Sequence, residues 1–160
     1  MSVLIVYASY YGTTEKAAYR IKENLEIDSV IMNAEFNAVD DWKYYDKVVV
    51  CTPVHAGKPH KAIKKFIEKN LSELTSRPIY LAVSNLDEKW ITECDKEFPA
   101  DFIKAVVSRK YIGGILKKSV LSSSERKLIE TMEKKLNISL ENVNTVNTDD
   151  IIAFAKSVTA

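Results

Sequence analysis

The sequence predicts a three-layer α/β fold: a five-stranded parallel sheet in the order 2-1-3-4-5 with helices on both faces. Two observations predict it. Short apolar runs alternate with stretches of helical periodicity along all 160 residues, the pattern of repeated β-α-β units. Those runs are rich in β-branched residues and unbroken by polar ones, as expected of strands buried on both faces. A third observation bears on function. Polar stretches, two of them carrying a glycine, follow strands 1, 3 and 4, and in such a sheet ligands bind outside the strands' carboxyl ends, where the order reverses.

The elements follow in order. Strand 1 is Val3-Leu4-Ile5-Val6-Tyr7-Ala8. The turn Ser9-Tyr10-Tyr11-Gly12-Thr13-Thr14 leads into a helix over 13–26, with Ala17, Ala18, Ile21 and Leu25 on one stripe. Strand 2 is a short run over 29–32, and strand 3, over 47–51, is fully apolar and central. Pro59 marks the first turn of the second helix, where a missing N–H costs nothing; Ile63, Phe66, Ile67 and Leu71 recur at its spacing. Strand 4 covers 78–84, with Pro78 at its first position. A polar loop through Trp90 and Cys94 precedes a helix over 98–107, and strand 5 is placed at 110–116, with Gly113-Gly114 read as a bulge or close helix approach. Ser122-Ser123-Ser124-Glu125 starts an additional helix carrying Leu128, Ile129, Met132 and Leu136; a last helix opens at Thr148-Asp149-Asp150.

Composition excludes several classes. A chain of 160 residues is read as one domain, 1–160, large enough to bury a core unaided. With 23 basic and 22 acidic residues the net charge is +1, giving no global field for nucleic acid. Two cysteines, Cys51 and Cys94, are too few for a secreted disulfide framework. The absence of a basic, apolar leader and of any run near the ~20 apolar residues of a membrane span predicts a soluble, cytoplasmic protein. Peripheral membrane contact and the oligomeric state stay open.

The first turn carries the sharpest chemical signal. A strand, a tight turn and a helix start bring backbone N–H groups and hydroxyls together at the positive end of a helix dipole, a site for phosphate. Three glycines at dinucleotide spacing are absent, and so is Gly-Lys-Ser/Thr. Cys51-Thr52 stands where a phosphoacceptor receiver would end strand 3 in aspartate. A monophosphate held by hydroxyls and N–H groups remains. Strand 3 ends in Thr52-Pro53-Val54-His55-Ala56-Gly57-Lys58-Pro59-His60, and strand 4 in Ser84-Asn85-Leu86-Asp87.

Ser9-x-x-Gly12-x-Thr14 resembles the phosphate loop of flavodoxin-like FMN proteins, and Thr52 to Pro59 resembles their second flavin loop. Within that superfamily the chain is most similar to the small flavodoxin-domain group that includes menaquinone-dependent protoporphyrinogen oxidase. The resemblance spans nearly the whole chain, including Ile112-Gly113-Gly114-Ile115-Leu116 and the closing helix from Asp150. It implies a flavodoxin-like sandwich with FMN as cofactor. Ser9, Gly12, Thr13 and Thr14, with the N–H groups of Tyr10 and Tyr11, would hold the phosphate. Thr52, Pro53, Val54, His55, Ala56 and Gly57 would lie along the flavin ring, and Ser84, Asn85 and Leu86 would meet its polar edge. A flip of the Gly57 peptide would answer the flavin's redox state. His55 and Trp90 stand nearest to the family's stacking positions. Typical flavodoxins have threonine at Tyr11 and are strongly acidic, whereas this chain has a pI near 7.7.

The function implied is an FMN-dependent oxidoreductase passing electrons between a small donor or quinone and a partner, with protoporphyrinogen as one candidate substrate and no side-chain acid or base required. Two other readings are an electron carrier that docks on proteins and a cofactor-free interaction domain. No metal site is expected: His55 and His60 lack carboxylates or thiolates at ligand spacing. His60 is expected on the surface of the second helix. Lys58, Lys61, Lys64 and Lys65, with Lys117-Lys118, read either as a basic rim for substrate carboxylates or as a solvated face.

Overall fold

The computed structural model describes residues 2–160, apart from the side chain of Trp90. Strands β1 (Ser2–Tyr7), β2 (Asp28–Asn33), β3 (Lys47–His55), β5 (Ile79–Ser84) and β6 (Val106–Tyr111) form a parallel sheet in the order 2-1-3-5-6. β4 (Lys58–Pro59) is a two-residue arm folded back on β3. With that arm set aside, the order is the expected 2-1-3-4-5. β7 (Ile115–Lys117) and β8 (Asn142–Asn144) make a separate antiparallel pair.

Among the described residues seven α-helices accompany these strands: α1 (Thr13–Glu23), α2 (Lys61–Lys69), α3 (Leu71–Thr75), α4 (Trp90–Glu93), α5 (Ala100–Ala105), α6 (Ser123–Leu136) and α7 (Thr148–Thr159). Successive side chains of a strand point to opposite faces, and two apolar layers result. Leu4, Val6, Val48, Val50, Leu81 and Val83 meet Ile63, Phe66 and Ile67 of α2, Leu74 of α3 and Phe102 of α5. On the other face Val3, Ile5, Val49, Cys51 and Ala82 meet Ala17, Ala18 and Ile21 of α1 and Ile151, Phe154 and Val158 of α7. α1 stops at Glu23, earlier than its stripe suggests, because Asn24 and Leu25 turn out of the helix with N–H bonds to Ile21 and Lys22 carbonyls.

The fifth parallel strand lies earlier than expected, at Val106–Tyr111 rather than 110–116. It is an edge strand of half-exposed Ser108, Arg109 and Lys110, so it lacks the apolar run of a buried one. The preceding helix correspondingly ends at Ala105. Gly113 and Gly114 are not a bulge within the strand; they carry the chain out of the sheet. A Cβ on Gly113 would sit 2.3 Å from the Thr145 carbonyl oxygen, and one on Gly114 would sit 2.7 Å from that of Asn85. Only glycine permits two backbones to pass that closely.

α6 is added to this frame. None of its residues is buried. It is held by an ion pair between Lys118 and Glu133, and by Arg126, which donates to the Lys118 carbonyl at 3.0 Å.

Candidate functional site

The loops after β1, β3 and β5 gather at one edge of the sheet, as the topology requires of parallel neighbours. After β1, Ser9 Oγ accepts the Gly12 N–H at 2.9 Å and closes the turn. Gly12 sits at φ +90°, a left-handed conformation that glycine adopts without strain. A Cβ built there would meet nothing within 4 Å, so this side of the turn is open. Gly12 is also the N-cap of α1 and supplies no side-chain cap. The three other helices of nine residues or more are sealed by His60, Ser122 and Asn147. The first N–H groups of a helix have no intrahelical partner. At α1 that positive end is left to whatever approaches the open side of Gly12. Thr14 is buried in the first turn, and Thr13 beside it is half-buried.

β3 overshoots its neighbours and turns back through Ala56 and Gly57, at φ +52° and +78°. Two successive positive φ values mark a type I′ hairpin, the turn that matches strand twist. Ala56 pays for its place there with backbone strain of about 1 kcal/mol. Pro53 and Val54 are buried below the turn, while His55 and Ala56 are exposed. Thr52 is buried, and its hydroxyl accepts the His60 N–H at 3.1 Å.

Asn85 ties the loops together. Its side-chain amide donates to the Val54 carbonyl at 2.7 Å, its Oδ1 accepts the Asp87 N–H at 3.0 Å, and its own N–H donates to the Gly113 carbonyl at 3.1 Å. Ser84 before it is buried and Leu86 after it is half-buried. The expectation for Trp90 as a ring-stacking residue falls outside what the structure describes.

An aromatic cluster covers the turn. The Tyr10 ring lies 4.4 Å from that of His55, nearly parallel at 25°, and 4.4 Å from that of His60. Tyr11 donates to a Glu125 carboxylate oxygen from the amino end of α6. Burial, together with that carboxylate, pushes the Tyr11 phenol up to about 12. The same hydrogen bond holds Glu125 below the usual carboxylate value. His55 is held below the ordinary imidazole value by desolvation among these rings.

His60 corrects an expectation. It is 6% exposed rather than on the surface. Nδ1 accepts the Ala62 N–H at 3.1 Å and caps α2; Nε2 lies 3.0 Å from Glu35. An accepting Nδ1 puts the proton on Nε2, the neutral tautomer that can donate to Glu35. Burial, outweighing Glu35, lowers its pKa. Both thiols are buried, Cys94 included, and burial raises Cys51 to about 12 and Cys94 to about 11. Thiols so placed are poor nucleophiles at neutral pH. Among the described residues no group of histidine, cysteine and carboxylate side chains is arranged to hold a metal ion, and no helix is long and apolar enough to cross a membrane.

Sequence reasoning missed Glu35 and Glu125. Glu125 had a signal, since Ser122-x-x-Glu125 is a capping box, but its reach to Tyr11 across 114 positions had none. Glu35 lies in a loop with no motif.

Comparison with known proteins gives this arrangement a family context. A model of the flavodoxin domain family matches residues 4–139. The protoporphyrinogen IX dehydrogenase (quinone) of Escherichia coli K12 is 31% identical over 81 residues, 49% of this chain and 45% of that protein. The chain thus spans about half the length of that relative. In overall structure the chain resembles the flavodoxin of Streptococcus pneumoniae TIGR4, with TM-score 0.61, 15% identity, and coverage of 99% of this chain and 97% of that one. It also resembles a Fusobacterium nucleatum flavodoxin bound to flavin mononucleotide, with TM-score 0.59, 14% identity, and coverage of 98% and 96%. At such identities these two likenesses show the fold.

Proposed function

The chain belongs to the flavodoxin domain family, and from that premise we propose that it binds FMN at the loops after β1, β3 and β5 and works as a redox protein. The observation that carries this reading is the open amino end of α1. A phosphate monoester is dianionic near neutral pH and needs several donors without a Cβ in the way. The uncapped first turn, the Ser9 hydroxyl and the open side of Gly12 meet those needs together. The residues present therefore fit the group.

In this proposal Ser9, Thr13 and Thr14, with the N–H groups of Tyr10, Tyr11, Thr13 and Thr14, hold the phosphate, while the Gly12 N–H stays bonded to Ser9. Tyr10 and His55 are positioned to flank the rest of the cofactor and exclude water from it, and the strained Ala56-Gly57 hairpin supplies backbone groups beside the ring. Asn85, through its bond to Val54, fixes the hairpin against the loop after β5. FMN supplies the one- and two-electron chemistry; the protein supplies orientation and surroundings.

As the electron donor we favour a small molecule, with a quinone or a partner protein as acceptor. The match to a protoporphyrinogen dehydrogenase supports that choice over a protein-docking carrier, and so does the net charge of +1, which provides no acidic docking field. A protoporphyrinogen-like donor and a cytoplasmic setting belong to the same proposal. The test is a visible absorbance scan after incubation with FMN and desalting. Flavin bands retained near one per chain support the reading. A colourless protein overturns it in favour of a cofactor-free interaction domain.

A further inference from the structure

A second concave feature lies on the other side of His60. It is a cleft of about 510 Å³ between α2 and the loop that follows β2. One wall is a row of lysines, Lys61, Lys65 and Lys69. These are i, i+4 and i+8 on one helix face, so at 1.5 Å rise per residue their stems stand roughly 6 Å apart and about 12 Å end to end. All three are exposed, and among the described residues none is paired with a carboxylate. Lys64, on a neighbouring row, reaches Glu97 at 3.5 Å instead. The facing wall is apolar at Ala34, Ala38 and Val39 and offers the Asn37 amide. One carboxylate lines the cleft, Glu35, and it is engaged by His60 at 3.0 Å. The lysine row is therefore left, among the described residues, without an ion-pair partner.

Three like charges held in line on one helix repel one another. Their arrangement becomes favourable once anions lie between them. We propose that this cleft binds a small organic polycarboxylate, with two or three carboxylates about 6 Å apart on an apolar body. The carboxylates meet the lysine row, and the apolar body lies against Ala34, Ala38 and Val39. The cleft's volume favours a small molecule over an acidic protein: it falls in the range of about 300–1,000 Å³ typical of ligand sites. The proposal is independent of flavin binding, because it uses no residue of the turn after β1.

The test is a titration of the protein with benzene-1,3,5-tricarboxylate, read by the amide resonances of Asn37, Ala62 and Asn70. Saturable shifts confined to that cleft are expected, with benzoate binding at least tenfold more weakly. Combining Lys61→Gln, Lys65→Gln and Lys69→Gln should weaken binding by roughly tenfold or more. Combining Lys22→Gln, Lys127→Gln and Lys134→Gln makes the same change in net charge elsewhere and should alter binding less than twofold. Five of the six are exposed and Lys22 is half-buried at the end of α1, so both variants should fold. The Gly12→Val variant should bind the tricarboxylate as the parent does, whatever its effect on flavin. Equal weakening in the two triple variants, or benzoate matching the tricarboxylate, overturns the proposal. So does a hexaglutamate peptide shifting the same resonances at lower concentration, which would point to an acidic protein instead.

Discussion

The amino ends of α1 and α6 stand side by side, joined by the Tyr11–Glu125 hydrogen bond, and they are built oppositely. α6 is sealed: the Ser122 hydroxyl accepts the Glu125 N–H, and the Glu125 carboxylate accepts the Ser122 N–H. α1 begins at a left-handed glycine with no cap at all. The difference is instructive because the burial runs the other way. α1 buries Thr14, Ala17, Ala18 and Ile21, whereas α6 buries nothing. A helix with little core to hold it needs its cap, worth about 1 kcal/mol. A helix anchored by its packing can leave its donors unpaired for a ligand.

The largest effect that would break this contrast is expected at Gly12. Gly12→Val places a β-branched residue at φ +90° and pushes side-chain atoms into the open side of the turn. Retention of FMN after desalting should be lost. The protein should stay folded, at a cost of about 1–3 kcal/mol in chemical denaturation. Undiminished flavin in this variant would mean that the open end of α1 is not the phosphate site.

Next comes Gly114→Ala, which sharpens the comparison by disturbing the rim without touching α1. Its methyl would meet the Asn85 carbonyl at 2.7 Å, an overlap relieved by backbone shifts costing about 1–3 kcal/mol. Flavin affinity should fall along with stability, since Asn85 positions the hairpin. Unchanged urea unfolding would show that the two backbones can separate freely.

At the sealed end, Ser122→Ala should cost about 0.5–2 kcal/mol in α6 alone, seen as reduced helicity with FMN retention unchanged. The two results together, loss at Gly12 and indifference at Ser122, would separate a binding terminus from a structural one.

The smallest effects concern pH. His60 is depressed in the folded state, so unfolding takes up protons. Its contribution to stability is complete above the unfolded imidazole value near 6.5 and declines as pH falls through its native value. Urea midpoints should therefore drop between pH 7.5 and 5.5, and less steeply in a His60→Gln variant, whose amide oxygen can still accept the Ala62 N–H. Glu125 is also depressed, so its contribution is present above about pH 4.5 and lost in more acid solution. A profile flat from pH 7.5 to 5.5 would contradict the buried, neutral state of His60.

Much of this was legible in the sequence, and the reasons for the exceptions are physical. β1 and its turn could be read because a fully buried strand must be apolar and must stop where Ser9 and Gly12 begin. β6 could not, because an edge strand of Ser108, Arg109 and Lys110 carries no such run. The polar loops were correctly brought to one sheet edge, since strand order dictates that. The depth of His60 depended on Glu35, in a separate loop, and on the histidine acting as its own helix cap. The contact of Tyr11 with Glu125 depended on how an added helix folds back, which no local pattern encodes. The roles of the loop residues toward FMN rest on family resemblance as much as on their chemistry.

α6 has one more consequence. A segment that buries no side chain opens locally at a small fraction of the global unfolding free energy. Its amides, with those of β7 and β8, should exchange with deuterated water long before the amides of β1 and β3, and proteases should cut there first. The Tyr11 phenol ties this weakly held unit to the turn ahead of α1. Deuterium uptake in α6 is therefore a sensor, some distance along the chain, of what happens at that turn.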